Sequence, residues 1–398
     1  MNGDSAKDGR GGTTRSVVRL AQELIRRASR GGIDDYGPVL GVLEEWLTAH
    51  GVPHRRLHDG AGAPVGLLAE VAGDRPGPWW TLDACVDTAP FGDTARWSFS
   101  PTCGTVRDGW LQGRGAADSK LAAAMYCHIA ADLAARPRDF PGGLAVLLDV
   151  DEHTGGFGGA RAYLADPDAV RPAGVIIGYP GMDEVVVGGR GLWRATLAVH
   201  GPSGHSGSRR TVTSALTRAV RLVHLLETAA LPGPDHASGF PLGPKLTVTA
   251  FHGGEGFSVT PDRVTVNVDV RTTPSFDAHH AEALVREAVA ELDAALPAPV
   301  PTDVAEVASW PAFRLREDEQ PAAALLSAAR AAGLDVRAKT AGPSNIGNLL
   351  ASHGIPATAG FGVPCEGLHG IDERASLAEL PDVHAIHRRA VTDLLTGP

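Results

Sequence analysis

Cysteine is scarce in this chain of 398 residues: there are four, Cys85, Cys103, Cys127 and Cys365, at irregular spacing. That pattern excludes a disulfide framework and suits a reducing compartment. Basic runs are missing as well. Lys and Arg number 36 against 46 Asp and Glu, a formal charge of -10, which leaves no electrostatic footprint for nucleic acid or for an anionic membrane surface. No unbroken apolar stretch approaches the ~20 residues that span a bilayer. Residues 1–15 lack the apolar core of a secretory signal. What is present is a chain of 43% hydrophobic residues, long enough for a large core and for two domains. The expectation is a cytoplasmic enzyme that acts on a small molecule, with neither nucleic acid nor membrane as a partner.

Periodicity divides the chain. Apolar residues recur at helical spacing over Arg15–Ala28 and Val39–Ala49, and Lys120–Ala134 is apolar almost all round. β-rich runs stand at Val65–Val71, Trp79–Leu82, Leu144–Val150 and Gly174–Ile177, with a helical segment at Gly158–Leu164. Strands alternating with helices predict an α/β layer with a mostly parallel central sheet. From about Gly189 the rhythm changes. Strand, helix, strand, strand, helix, strand follow in turn (Leu192–His200, Thr213–Leu226, Lys245–Phe251, Arg263–Arg271, Ala278–Leu292, and residues around Pro301–Val307). This predicts an inserted α+β, ferredoxin-like domain at 189–307. It would interrupt a discontinuous catalytic domain at 15–188 and 308–398, with a disordered tail at 1–14.

Polar clusters follow the apolar strands, where ligands sit in open α/β sheets. They are Asp83-Ala84-Cys85-Val86-Asp87-Thr88-Ala89-Pro90, Gly113-Arg114-Gly115-Ala116-Ala117-Asp118-Ser119-Lys120, Asp151-Glu152-His153-Thr154-Gly155-Gly156, and Gly367-Leu368-His369-Gly370 followed by Asp372 and Glu373. Singly, each has an ordinary explanation: a helix cap for Asp118, a solvated loop for Asp151–His153, a turn for His369. Their joint occurrence at successive strand ends argues for one site.

These clusters, with Trp97-Ser98-Phe99-Ser100-Pro101, Gly201-Pro202-Ser203-Gly204-His205-Ser206 and Asp269-Val270-Arg271, resemble in order and spacing the co-catalytic zinc peptidases. That family includes aminoacylase, acetylornithine deacetylase, succinyl-diaminopimelate desuccinylase and carboxypeptidase G. The resemblance runs over about residues 15–396. It implies a zinc-peptidase-like catalytic domain and a lid domain that dimerises. It also implies a general-base Glu at Glu152, a supporting Asp at Asp87, a bridging ligand at Asp118 and a final ligand at His369.

Three ligand positions depart from the family: Cys85 stands for a His, His153 for a Glu, and Tyr179 for an Asp or Glu. Asp118, His153 and His369 still make a two-nitrogen, one-oxygen set that zinc accepts with a fourth position open. The remaining half-site, Cys85 with Asp118 and Tyr179, depends on a phenol losing its proton. One zinc per subunit, or none, is therefore expected in place of a pair. The resemblance further implies an oxyanion role for His205, reaching a partner subunit's site, and a carboxylate anchor in Arg271. Ser258 stands where some relatives place an Asn before the Pro261-Asp262 turn. Asn345 is a candidate for hydrogen bonding to a substrate amide. The expected activity is hydrolysis of an amide or peptide bond in an N-acyl amino acid or small peptide. The alternatives are a metal-independent lyase, cyclase or acyl-transfer enzyme using Cys85, Tyr179 and Glu152, and a non-catalytic binding protein.

Overall fold

The computed structural model describes residues 4–136, 139–209 and 213–397. The chain divides into two units. One comprises Met1–Val187, Leu315–Lys339 and Asn345–Pro398; the other comprises Gly188–Arg314 and Thr340–Ser344. The expected insert at 189–307 falls within the second.

The first unit begins with helices α1 (Asp4–Ile25) and α2 (Gly37–Ala49). Of the expected disordered tail, residues 1–3 lie outside the described residues, and α1 already runs from Asp4. It starts well before its apolar positions Val17, Leu20, Ala21 and Leu24, which are buried. Nothing apolar marks that earlier turn in the sequence. Proline in the first turn starts α2, where a missing N–H costs nothing. Helix α3 (Leu121–Ala134) is buried along most of its length, as its Ala-rich composition predicts, and α4 (Gly158–Ala165) is short.

The sheet of this unit runs His54–His58, Pro64–Ala72, Pro141–Asp149, Arg75–Cys85, Gly174–Ile177, Ala357–Gly360, Glu184–Gly189. It is parallel at its centre, from Pro141–Asp149 through Ala357–Gly360. At its flanks it is antiparallel. A tight connection explains one flank: Asp59 donates its N–H to the Ala63 carbonyl, and Gly62 takes φ 82°, so the two strands it joins are antiparallel.

In the second unit, four antiparallel strands lie in the order Lys245–His252, Arg263–Thr272, Gly191–His200, Asp303–Trp310. Helices α5 (Ala215–Glu227) and α6 (Ala278–Ala295) belong to it. The spatial order second–third–first–fourth is the split β-α-β arrangement that the sequence pattern predicts. Strict alternation buries Val264, Val266, Val268 and Val270. They share a core with Ala219, Leu222 and Leu226 of α5 and Val285, Val289 and Leu292 of α6. Ser214 and Asp277 cap the two helices by accepting the N–H groups of Thr217 and His280.

The chain then returns to the first unit with α7 (Ala322–Ala331), α8 (Ile346–Ser352) and α9 (Leu380–Thr396). Trp80 ties α9 to the sheet by donating its indole N–H to the Leu394 carbonyl at 3.0 Å. His387, wholly buried on α9, has Nε2 2.7 Å from the Phe361 carbonyl, and its Nδ1 has no hydrogen-bond partner among the described residues. Among the described residues no helix is long and apolar enough to cross a membrane.

Two predictions follow from this packing. Leu222 is fully buried, whereas Val220 on the same helix is 61% exposed. Leu222→Ala is expected to cost about 2–5 kcal/mol in urea unfolding, and Val220→Ala within about 0.5 kcal/mol. Burial also pulls the His387 pKa down to about 4, so the folded chain keeps this ring neutral. Below the ordinary His value of about 6.5 the unfolded chain takes up a proton and the folded one does not. Stability therefore falls from pH 6.5 toward pH 4, by about 2 kcal/mol from this ring at pH 5. His387→Gln is expected to flatten that part of the urea-midpoint profile.

Candidate active site

Two strand ends, the bend ahead of α3 and one late loop of the first unit converge. Cys85 closes the strand Arg75–Cys85. Asp87, two residues on, is fully buried. It accepts the backbone N–H groups of Glu152 at 3.3 Å and His153 at 3.0 Å. The carboxylate of one strand end thus holds the turn that follows the strand Pro141–Asp149. That turn is tight, with Asp151 at φ 71°. Asp118 lies in the bend ahead of α3, where Ser119 Oγ is 2.8 Å from Asp118 Oδ1 and 2.7 Å from the Gly178 carbonyl. His369, on a loop at φ 57°, brings Nε2 to 2.7 Å from Asp118 Oδ2.

His153 is the central ring. Its side chain is 5% exposed, with Nδ1 at 3.4 Å from Asp87 and 3.7 Å from Glu152, and Nε2 at 3.6 Å from Asp118. These gaps are too long for good hydrogen bonds, so neither ring nitrogen of this buried side chain has a hydrogen-bond partner among the described residues, although carboxylates stand within ion-pair reach of both. The gaps do suit an ion. Bonds of ~2.0–2.1 Å in a tetrahedron place donor atoms roughly 3.3 Å apart. The donor atoms of Asp118, His153 and His369 all lie within 4.8 Å of one another. The residues present therefore fit one divalent cation, with the His369–Asp118 contact opening slightly to admit it.

Charge follows burial and partners. Burial disfavours charge on Asp118, but the imidazoles of His153 and His369 outweigh it and hold the carboxyl well below the usual range. Burial likewise pulls His153 down, while Asp118 and Asp87 raise it to about 10. Glu152 moves the other way: burial first, then the negative charge of Asp118, push it up to about 7. Cys85 is pushed far up by burial and by Asp118 and Glu152. Tyr179, just past the strand Gly174–Ile177, is raised by burial and the same two carboxylates. A second half-site on Cys85, Asp118 and Tyr179 fits poorly, because its thiol and phenol both hold their protons. Cys85 donates its S–H to Asp118 Oδ1 at 3.8 Å and also falls within 4.8 Å of donor atoms on Glu152 and His153.

The remaining candidates are not members of this set, and two of them belong to the second unit. His205 is exposed in the second unit, on a two-residue strand paired with Val259–Thr260, and its Nδ1 accepts the Gly207 N–H. Arg271, also in the second unit, is already engaged: its Nε is 2.7 Å from Asp269 Oδ1 and its Nη1 donates to Ser344 Oγ at 3.0 Å. Asn345, in the first unit, caps α8 by accepting the Gly347 N–H at 2.8 Å, and Asn348 returns the bond to the Asn345 N–H. That reciprocal cap engages the side-chain oxygen and the backbone N–H of Asn345. Its signature, a capping residue followed three positions later by another amide, stands in the sequence at Asn345-Ile346-Gly347-Asn348.

Sequence reasoning assigned no role to Arg114, Glu373, Asp83 or Asp149. Asp83 and Asp149 are fully buried, and none of their four carboxyl oxygens has a hydrogen-bond partner among the described residues. Burial, the largest cause for both, holds them far above the ordinary Asp value.

Comparison with known proteins supplies the remaining fact. The profile of Peptidase family M20/M25/M40 matches residues 84–393. The chain belongs to this family. A succinyl-diaminopimelate desuccinylase from Granulibacter bethesdensis is 31% identical over 96% of this chain and 98% of its own length. Another, from Xanthomonas campestris, is 29% identical over 96% of this chain and 100% of its own. Among solved structures, the M20 family metallo-carboxypeptidase Sso-CP2 from Sulfolobus solfataricus superposes with a TM-score of 0.76 at 15% identity, covering 95% of this chain and 99% of its own. At that identity the superposition speaks for the fold alone. The chain is thus a metallopeptidase-like enzyme of the hydrolase class, an amide or peptide hydrolase of the M20 family.

The protonated state of Cys85 is directly testable. With iodoacetamide at pH 8 on chelator-treated native protein, Cys103, partly exposed, is expected to be alkylated well before the buried Cys85. Peptide mass spectrometry reads the order, and faster labelling of Cys85 contradicts the charge assignment.

Proposed function

We propose that this enzyme hydrolyses the amide bond of an N-acyl amino acid or small peptide, with a single zinc held by Asp118, His153 and His369. The observation that carries this reading is the position of Glu152: its carboxyl lies 3.7 Å from Nδ1 of the buried His153 side chain, whose ring nitrogens have no hydrogen-bond partner among the described residues. When bound, zinc supplies Lewis acidity to the scissile carbonyl and lowers the pKa of water.

The rest is done by side chains. Glu152, balanced near neutrality, takes a proton from the attacking water and delivers it to the leaving amine nitrogen. Asp87 holds the Glu152–His153 turn by its two backbone N–H groups and so fixes where that carboxylate points. Asp83 and Asp149 remain neutral beneath it. The names of the relatives favour an N-acyl amino acid with a further carboxylate, of which an N-succinyl amino acid is one case. A thiolate nucleophile at Cys85 is disfavoured by the burial that keeps its proton in place.

The test combines metal analysis with kinetics. Purified protein is expected to carry one zinc per chain, to lose turnover of N-acyl amino acids on chelation and to regain it with one equivalent of zinc. Glu152→Gln is expected to lower kcat by roughly 10²–10⁴-fold while binding zinc normally. Full activity in Glu152→Gln, or in metal-free protein, would exclude this mechanism.

A further inference from the structure

A buried ion pair outside the ligand set joins the segments that carry the site. The side chains of Arg114 and Glu373 are 2% and 1% exposed, and Arg114 Nη1 donates to Glu373 Oε2 at 2.5 Å. Arg114 Nη2 reaches the carbonyls of Pro90 at 3.0 Å, His369 at 3.3 Å and Gly370 at 2.6 Å. Glu373 Oε1 accepts the backbone N–H groups of Gly115 and Ala117 at 3.0 Å and of Asp118 at 3.4 Å. One pair therefore grips the Asp118 bend, the His369 loop and the segment just past Asp87.

Neither Asp118 nor His369 sits where regular structure would fix it. Asp118 has φ -126° and ψ 93°, outside helical values, and His369 has a positive φ on a loop. Ligand atoms on such segments need external support to keep a metal-binding gap. A buried ion pair is a weak source of stability compared with apolar packing of the same volume, because desolvation offsets its Coulomb energy. A guanidinium fork does what apolar packing cannot: it bonds one carboxylate and several carbonyls in a fixed plane.

We infer that Arg114 and Glu373 are positioning residues that set the gap between Asp118 and His369. The inference rests on the reading of Asp118, His153 and His369 as the metal seat. The experiment is a double-mutant cycle on the full chain, with zinc affinity read by competition against a chromophoric chelator and thermal unfolding recorded in parallel. Glu373→Gln is expected to weaken zinc binding by about 10-fold or more. In a His369→Ala background the same substitution is expected to have much less effect, since the gap it maintains is already gone, while its shift in Tm stays the same in both backgrounds. Arg114→Lys keeps the charge but lacks the fork. It is expected to behave like Glu373→Gln, and it carries the cycle if Glu373→Gln does not fold. Wild-type zinc affinity in the single variants, or an equal loss in both backgrounds, overturns the positioning role. A wild-type chain that binds no zinc overturns the metal reading, and this inference with it.

Discussion

The site depends on one buried negative charge, that of Asp118. Removal from water works against ionising any carboxyl, and this protein contains the control. Asp83 and Asp149 are equally buried, have no partner among the described residues and are pushed toward the neutral acid. Asp118 differs only in what faces it: His369 at hydrogen-bond distance, His153 just beyond it, and the Ser119 hydroxyl. Those contacts reverse the sign of the shift. The same charge then acts on Glu152, reinforcing burial and bringing its carboxyl into the range where a group can both accept and return a proton near neutral pH. One electrostatic arrangement thus governs both carboxyls.

Much of this was legible in the sequence, and the reason is periodicity. The strand Gly174–Ile177 and the start of the helix at Ala278 fall where the apolar pattern puts them, because each buries a face or a whole segment and leaves no freedom of register. Asp87, Glu152 and His153 were legible for a related reason: they follow apolar strands, as Asp118 precedes a helix, so their chain order maps onto the sheet edge, whereas His369 was reached through the family resemblance. Asp118, His153 and His369, spread over 251 positions, do meet.

What was not legible had no local signal. Arg114 and Glu373 are separated by 259 positions, and nothing near either one names the other. A charged residue within a Gly-rich motif looks like a solvated turn until its burial is known. Asp83 and Asp149 stand at the ends of apolar strands with no signal in the sequence that the fold leaves both in the interior without partners among the described residues. The antiparallel flanks of the sheet were missed because a mostly parallel sheet was inferred from alternation alone, whereas a five-residue connection such as the one after His58 permits only a hairpin. Asn345 has a local role that its spacing already signalled, the cap of α8, which stands beside the substrate contact expected of it.

The exchange of Glu for His at position 153, and of an acidic residue for Tyr at position 179, as the family resemblance frames them, has a consequence in charge alone. Two divalent ions a few ångströms apart repel strongly and need anionic ligands between and around them. Here the carboxylates in contact with the seat are Asp118, and Glu152 and Asp87 on the far side of the His153 ring. Cys85 and Tyr179 contribute no charge while burial keeps their protons. An imidazole in place of a carboxylate adds no negative charge even when it gives up its proton to bind a metal, so it weakens the case for a second ion while still offering the nitrogen that zinc accepts. The departures from a two-ion site are therefore consistent with one another. Each lowers the negative charge available to a second cation, and the three donors on Asp118, His153 and His369 remain.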